Sequence, residues 1–278
     1  MKNTMVVFGG QDNEEQAARN VAREAGCVLA TATVSGTKVH GGNAYQADGY
    51  VVDEGDFALV QQVIIFEVNP NCAGSMSVVG ICDHHNPGDF GYGLGADRYW
   101  DASSLGQLCA ILGVERTHQL ELVAAGDHCP ADAYAGRCSG IDPEEFLEFR
   151  IKGKAAFYAT NPRTAQKADE EKIREFIAKA KDKLQEAKVV DGVRDLREAG
   201  LIDELPEAAL VTGEAYIAMI DDVDRDRNPT GNKKIVLGGH TTPEIVNRFM
   251  GWGNSLPNRI GNAYGNPTRG FAGVVVKG

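Results

Sequence analysis

No run of about 18 consecutive apolar residues occurs in the chain, so a membrane-spanning helix and a membrane partner are not expected. No basic-then-apolar leader precedes the first strand-like segment, "NTMVVFGG", and the expected location is therefore cytoplasmic. C-x-x-C pairs are also missing. The six cysteines, at positions 27, 72, 82, 109, 129 and 138, are scattered and mostly set in apolar segments. That pattern argues against a zinc cluster and suits buried thiols better than a disulfide framework. An excess of positive charge is lacking too: 28 Lys and Arg stand against 39 Asp and Glu, for a net charge of −11. Bulk electrostatics then do not favour long nucleic acid, although a local basic groove could still take a short single strand. Neither a Walker A loop nor a dinucleotide fingerprint is present, and no internal repeat or low-complexity tract is evident.

What is present is a chain of 278 residues, 43% of them hydrophobic, enough for one large core or two smaller ones. "NTMVVFGG", "CVLATATV", "GYVVDEG", "LVQQVIIFEVNP" and "SVVGICDHH" read as strands, several of them short continuous apolar runs. Between and after them, "DNEEQAARNVAREAG", "SSLGQLCAILG" and "THQLELVAAG" read as helices. In the first, Asp12 is placed as N-cap, Glu15 as the capping-box acid and Gly26 as the stop. The alternation predicts an α/β fold whose N-terminal part is a mainly parallel sheet with flanking helices.

The composition changes near Asp142. "DEEKIREFIAKAKDKLQEAK" is an amphipathic helix with a solvated charged face, read as a linking segment. Beyond it a smaller α/β lobe is expected. A strand leads into the charged loop "DVDRDRNPTGNKK". Then come the strand "IVLGGH", the helix "TPEIVNRFMGW" and a glycine-rich tail ending in the strand "FAGVVVK". The expected organisation is 1–150, a linking segment 151–190, and 191–278.

Four places carry candidate chemistry. "ICDHHNP" delivers Asp83, His84 and His85 at the end of a strand, where ligand sites in open α/β sheets collect. Carboxylate and imidazole together suit a divalent ion such as Mn²⁺; the plainer reading is a turn with a capping Asp. "LVAAGDHCP" repeats the presentation with Asp127 and His128, after a helix expected to stop at Gly126. Its plainer reading is a His⁺ beside the last carbonyls of a helix, worth about 0.3–1 kcal/mol. Asp12 and Glu67 each follow a strand, with helix capping and strand closure as their competing roles. In the second lobe, Gly238, Gly239 and His240 lead into a helix start that could cradle an anion, and Gly270 beside Arg269 suits a phosphate.

With these residues in view, the chain resembles the DHH phosphoesterase superfamily, which includes RecJ-like exonucleases and oligoribonucleases. The namesake motif stands as "ICDHHNPGD", and "ASSLGQLCAILG" lies where that family has its Ser-rich helix. "YGNPTRGFAG", preceded by "GGH", is similar to the substrate-binding motif of the associated C-terminal domain. The resemblance implies one or two Mn²⁺ ions, with Mg²⁺ as a substitute, held by Asp12, Glu67, Asp83, His84, Asp127 and His128. It implies that His84 and His85 take part in catalysis, His85 toward the substrate phosphate. His240, Gly238, Gly239, Arg269 and Gly270 would contact the substrate from the second lobe.

The implied activity is hydrolysis of a small phosphorylated or nucleotide substrate in a cleft between lobes. The first motif departs from the family: "FGGQDNEEQ" holds Asp12 but no His, and Glu67 stands where the second motif has an Asp. Two alternatives therefore stay open. One is a non-catalytic relative that binds a nucleotide or a protein; the other is a metal-independent enzyme using His84, His85 or His128 as acid or base.

Overall fold

The computed structural model describes residues 3–10, 12–40, 42–160, 162, 164–224 and 228–278. The chain divides into two compact units, Met1–Phe146 and Leu147–Gly278.

The first unit runs β1 (Thr4–Phe8), α1 (Asn13–Glu24), β2 (Val28–Val34), β3 (Thr37–Lys38), β4 (Gly49–Glu54), β5 (Gln62–Phe66), β6 (Ser77–Cys82), α2 (Tyr99–Ala102), α3 (Ser104–Leu112), α4 (His118–His128) and α5 (Pro130–Tyr134). Helix α6 (Pro143–Thr160) runs across the division. The sheet order is β3-β2-β1-β5-β6, with β4 also paired to β2. β1, β2, β5 and β6 are parallel, while β3 and β4 return antiparallel along β2. The N-terminal sheet is therefore mainly parallel, within an α/β fold.

β1 is buried along its whole length because it is the middle strand, and its "MVVF" run supplies apolar side chains to both faces. Met5, Val7, Val63 and Ile65 pack into one core with Val28 and Ala30, and the alternate residues Val6, Phe8, Ile64 and Phe66 are buried on the opposite face. Each such side chain contributes about 1.5–3 kcal/mol by leaving water. Register places the site: Phe8 pairs with Phe66, and Phe66 with Cys82. Three parallel strands therefore end level, and the residues that follow them emerge side by side at one edge.

The second unit comprises the remainder of α6, α7 (Glu170–Glu186), β7 (Lys188–Val190), β8 (Val193–Leu196), α8 (Leu205–Thr212), β9 (Ala215–Val223), β10 (Pro229–Gly239), α9 (Pro243–Ser255), β11 (Arg259–Asn266) and β12 (Phe271–Val276). Its sheet order is β11-β12-β10-β9-β8-β7, antiparallel except for the β8–β9 pair, which α8 bridges. α7 begins at Asp169, whose carboxylate accepts from the Lys172 N–H at 3.0 Å. Its apolar stripe of Ile173, Ile177, Ala180 and Leu184 packs with α8 and β9, so much of the 151–190 segment belongs to the core of this unit. The charged stretch expected as a loop between strands is largely strand: residues 221–223 close β9 and 229–234 open β10, with Lys233 facing Asp221 in register. Residues 225–227 lie outside the described residues.

Candidate metal centre

The site is assembled from the ends of β1, β5 and β6 and from three helices. After β1 the chain passes Gly9, where a Cβ would lie 2.4 Å from the Glu67 carbonyl oxygen and 2.8 Å from the Val68 Cβ. Glycine there lets the β1 and β5 loops approach. Asp12 then caps α1, accepting from the Glu15 N–H at 2.9 Å, and the first turn buries Glu14 and Glu15. Glu67 follows β5 with φ of +52°, a left-handed conformation unusual for a residue with a side chain. Strain of that kind collects at functional sites. Asp83, His84 and His85 follow β6. Behind His84, a Cβ on Gly91 would stand 1.9 Å from the Ala102 carbonyl oxygen and 2.7 Å from the His84 Cβ, which explains the glycine.

Four side chains converge: Glu14, Glu67, His84 and Asp127 each offer a ligand atom, all within 4.8 Å of one another. A second set, Glu67, His84 and His85, meets the same limit and shares two members with the first. An octahedral ion with bonds of about 2.1 Å separates adjacent ligand atoms by about 3 Å and opposite ones by about 4.2 Å. His84 Nε2 lies 3.1 Å from Asp127 Oδ2, the spacing of adjacent ligands; the other ring nitrogen, Nδ1, faces Glu67 Oε1 at 3.9 Å and cannot serve the same ion as Nε2. Glu14, Glu67 and His84 are buried.

Helix α3 feeds its N-terminus into the cluster. The Ser104 hydroxyl donates to Glu67 Oε1 at 2.8 Å, and the Leu105 N–H donates to a Glu14 carboxylate oxygen at 3.0 Å. A helix N-terminus favours negative charge, yet these two donors do not balance the carboxylates gathered here. Burial, followed by repulsion from Asp127 and Glu67, holds Glu14 well above the usual carboxylate range. Burial, followed by repulsion from Asp127 and Asp12, does the same to Glu67. Solvent reaches the Asp12 residue, but crowding around its carboxylate and then the charge of Asp127 still raise its pKa. Among the described residues no backbone, hydroxyl or cationic donor reaches the buried Glu14 Oε2, and the Glu14 and Glu67 carboxyls stand within hydrogen-bonding range of each other. A buried group of repelling carboxylates, one oxygen of which lacks such a donor, together with an imidazole fits a divalent cation: the ion would stand in for that donor and offset the repulsion.

Asp83 is placed differently from the expectation that it ligates. Its carboxylate accepts from the backbone N–H groups of His84 and His85 at 2.8 and 3.0 Å and from the Tyr45 hydroxyl at 2.9 and 2.8 Å. It also lies 2.9 Å from His85 Nδ1. Burial works to raise its pKa, but the contacts from His85 and Tyr45 outweigh it, and the carboxylate stays below its ordinary value. Asp83 falls outside both ligand sets, and its geometry orients His85. The His84 and His85 rings stack with centroids 4.4 Å apart.

Asp127 and His128 lie in the last turn of α4, which continues through Gly126 instead of stopping there. That turn brings Asp127 to His84. The Nε2–H of His128 donates to the Leu94 carbonyl at 2.9 Å, and its ring stands edge-on to His84 at 5.1 Å. Burial lowers its pKa, so it tends to be neutral, and among the described residues its buried Nδ1 meets no hydrogen-bond partner. His128 and Asp12 fall outside both sets. Glu14 is the residue that sequence reasoning missed. The available signal was the alternation Asp12-x-Glu14 directly after a glycine-terminated strand, which presents two carboxylates to one edge.

Beside Asp12 opens a recess of about 620 Å³, lined among others by Gly10, Glu15, Arg19, Lys38 and Asp53. Arg19 is braced by Glu15, Asp53 and Thr31 at 2.8, 3.1 and 2.8 Å and lies over the Phe8 ring.

In the second unit, the Thr241 hydroxyl donates to the Gly270 carbonyl at 2.7 Å, so the end of β10 and the β11–β12 turn meet. His240 and Arg269, both exposed, therefore belong to one edge. Gly238 and Gly239 also have packing roles: a Cβ would meet the Tyr216 hydroxyl at 2.8 Å and the Glu214 carbonyl oxygen at 2.2 Å. At the start of α9 the Thr242 side chain caps the Ile245 N–H. Neither a protein-family model nor a curated protein sequence matches the chain.

Proposed function

We propose that this protein is a metal-dependent phosphoesterase acting on a small phosphorylated or nucleotide substrate. The observation that carries the reading is the convergence of Glu14, Glu67, His84 and Asp127 within 4.8 Å in a largely buried, acid-rich cluster. The resemblance of "ICDHHNPGD" to the DHH phosphoesterases supports the reaction class.

Glu14, Glu67, His84 and Asp127 would hold the ion, and the second set adds His85 for a neighbouring ion sharing Glu67 and His84. Mn²⁺ suits a donor set that mixes carboxylate and imidazole, with Mg²⁺ as a weaker substitute. Such an ion, when bound, lowers the pKa of a coordinated water and polarises a phosphoryl oxygen. The chain's own residues do the positioning. Ser104 fixes the Glu67 carboxylate through Oε1, Asp83 fixes the His85 ring, and Tyr45 steadies Asp83. In the adjoining recess Arg19 and Lys38 are paired with Glu15 and Asp53, so a phosphate bound there would have to displace or share those ion pairs. The net charge of −11 favours a short substrate over a long polyanion.

The test is hydrolysis of bis(p-nitrophenyl) phosphate by purified protein with Mn²⁺, before and after chelation. Activity that needs the metal and is lost in His84→Ala supports the reading. Hydrolysis that survives both chelation and the substitution overturns it. A folded protein that binds Mn²⁺ but hydrolyses neither this ester nor a panel of short nucleotides favours the non-catalytic alternative.

A further inference from the structure

Cys129 and Cys138 sit apart from the rest of the thiols in one respect: their sulfurs are 3.2 Å apart, with one S–H donating to the other sulfur. Among the described residues no other cysteine pair makes such a contact, although all six are buried and free. Both backbones are fixed by short turns. The Cys129 N–H donates to the Ala125 carbonyl at 3.1 Å, and its own carbonyl accepts from Asp132 and Ala133 at 3.0 Å each. The Cys138 carbonyl accepts from Ile141 at 3.1 Å. A disulfide has sulfurs about 2.05 Å apart, so an approach of about 1 Å closes the bond. A metal is the competing use of two adjacent thiols, but the described residues bring no third His, Cys, Asp or Glu atom to this pair. Residues 135–137, between the two cysteines in sequence, are exposed, and Cys129 itself keeps 9% of its surface open to solvent.

We propose that Cys129 and Cys138 form a redox-active pair that closes to an intramolecular disulfide when a hydroperoxide is supplied. One sulfur attacks the O–O bond of hydrogen peroxide, giving a sulfenic acid and releasing water. The second sulfur then displaces the sulfenic oxygen, forming the S–S bond and releasing a second water. Two thiols and one peroxide become one disulfide and two waters. The bond would pin the C-terminal cap of α4, the helix that carries Asp127 and His128. This inference is independent of the phosphoesterase reading.

Arg137 lies between the two thiols, and that makes the test direct. The folded full-length chain is treated with hydrogen peroxide, unfolded in N-ethylmaleimide and digested with trypsin. Cleavage after Arg137 leaves peptides 117–137 and 138–150 joined only if the disulfide has formed. The expected result is that joined species at the summed mass less two hydrogens, with two of the six thiols lost and both peptides released by dithiothreitol. Cys138→Ser should abolish it. Full alkylation of both thiols, sulfinic or sulfonic acids in place of the bond, or a bond from either thiol to another cysteine would each overturn the proposal. The wild-type measurement decides the question even if the variant fails to fold.

Discussion

Glu14→Gln should make the metal-free protein more stable while removing its affinity for metal. The ligand oxygens of Glu14, Glu67 and Asp127 lie within 4.8 Å of one another. Two unit negative charges at that separation repel by about 3 kcal/mol at an effective dielectric of about 20. That exceeds the roughly 1.4 kcal/mol that moves a pKa by one unit, so the metal-free cluster retains protons that ordinary carboxylates lose. Glutamine keeps the oxygen that accepts from the Leu105 N–H and removes the charge. Part of the repulsion is already relieved by proton uptake, which leaves a gain on the order of 2 kcal/mol at pH 8, or about 4–8 °C in melting temperature.

The sign with pH follows from the raised pKa values of Glu14 and Glu67. The folded state holds protons that the unfolded state has released above the ordinary glutamate value of 4.5. That contribution is fully present below this pH and is lost as pH rises through the folded values. The advantage of the variant should therefore grow as pH rises above 4.5 and through the raised folded values of Glu14 and Glu67. His128, lowered by burial, and Glu15, raised to about 6, titrate alike in both proteins and cancel in the difference. Thermal melts in chelator across that range are the assay. A Glu14→Gln protein less stable than wild type at high pH, or a difference that does not grow with pH, would refute the reasoning.

Asp83→Asn should lower Mn²⁺ affinity or activity by about 10–100-fold without unfolding the chain, since it loosens His85 and removes no ligand; calorimetry and phosphodiester hydrolysis check it. Gly91→Ala forces a Cβ to 1.9 Å from the Ala102 carbonyl, so a loss of about 2 kcal/mol or more and weaker metal retention are expected; an unshifted melt would contradict the packing described for His84. In the second unit, Glu207 is 1% exposed and lies 2.8 Å from Arg150 and 3.2 Å from Lys154. Glu207→Ala should cost about 2 kcal/mol or more in a denaturant titration, because it removes a buried carboxylate that accepts from the Arg150 guanidinium, while Lys154 keeps Glu204 at 2.9 Å.

The strands that end level at the site are legible as short apolar runs: β1 and β5 are buried along nearly all their length, whereas β6 is the edge strand, with Val78, Val79 and Ile81 exposed, and reads as a strand by its β-branched residues. Asp12 is legible as a cap because its partner is three residues away. Glu14 is not, since an acid in the first turn of a helix is ordinary and only the arrival of Glu67 and Asp127 from distant elements gives it a second role. Asp83 reads as a ligand in one dimension, but in three its carboxylate turns back on the N–H groups of the next two residues. Gly126 reads as a helix stop by propensity, whereas packing carries α4 two residues further and delivers Asp127. Likewise, the charges of residues 229–234 suggest a loop, and pairing with β9 overrides them.

Mn²⁺ titration of chelator-stripped protein, followed by calorimetry, tests the central claim most directly. The account predicts stoichiometric binding by the wild type and its loss in His84→Ala and Glu67→Gln with the fold intact by circular dichroism. A folded wild type that takes up no Mn²⁺, or binding unchanged in both variants, would contradict it.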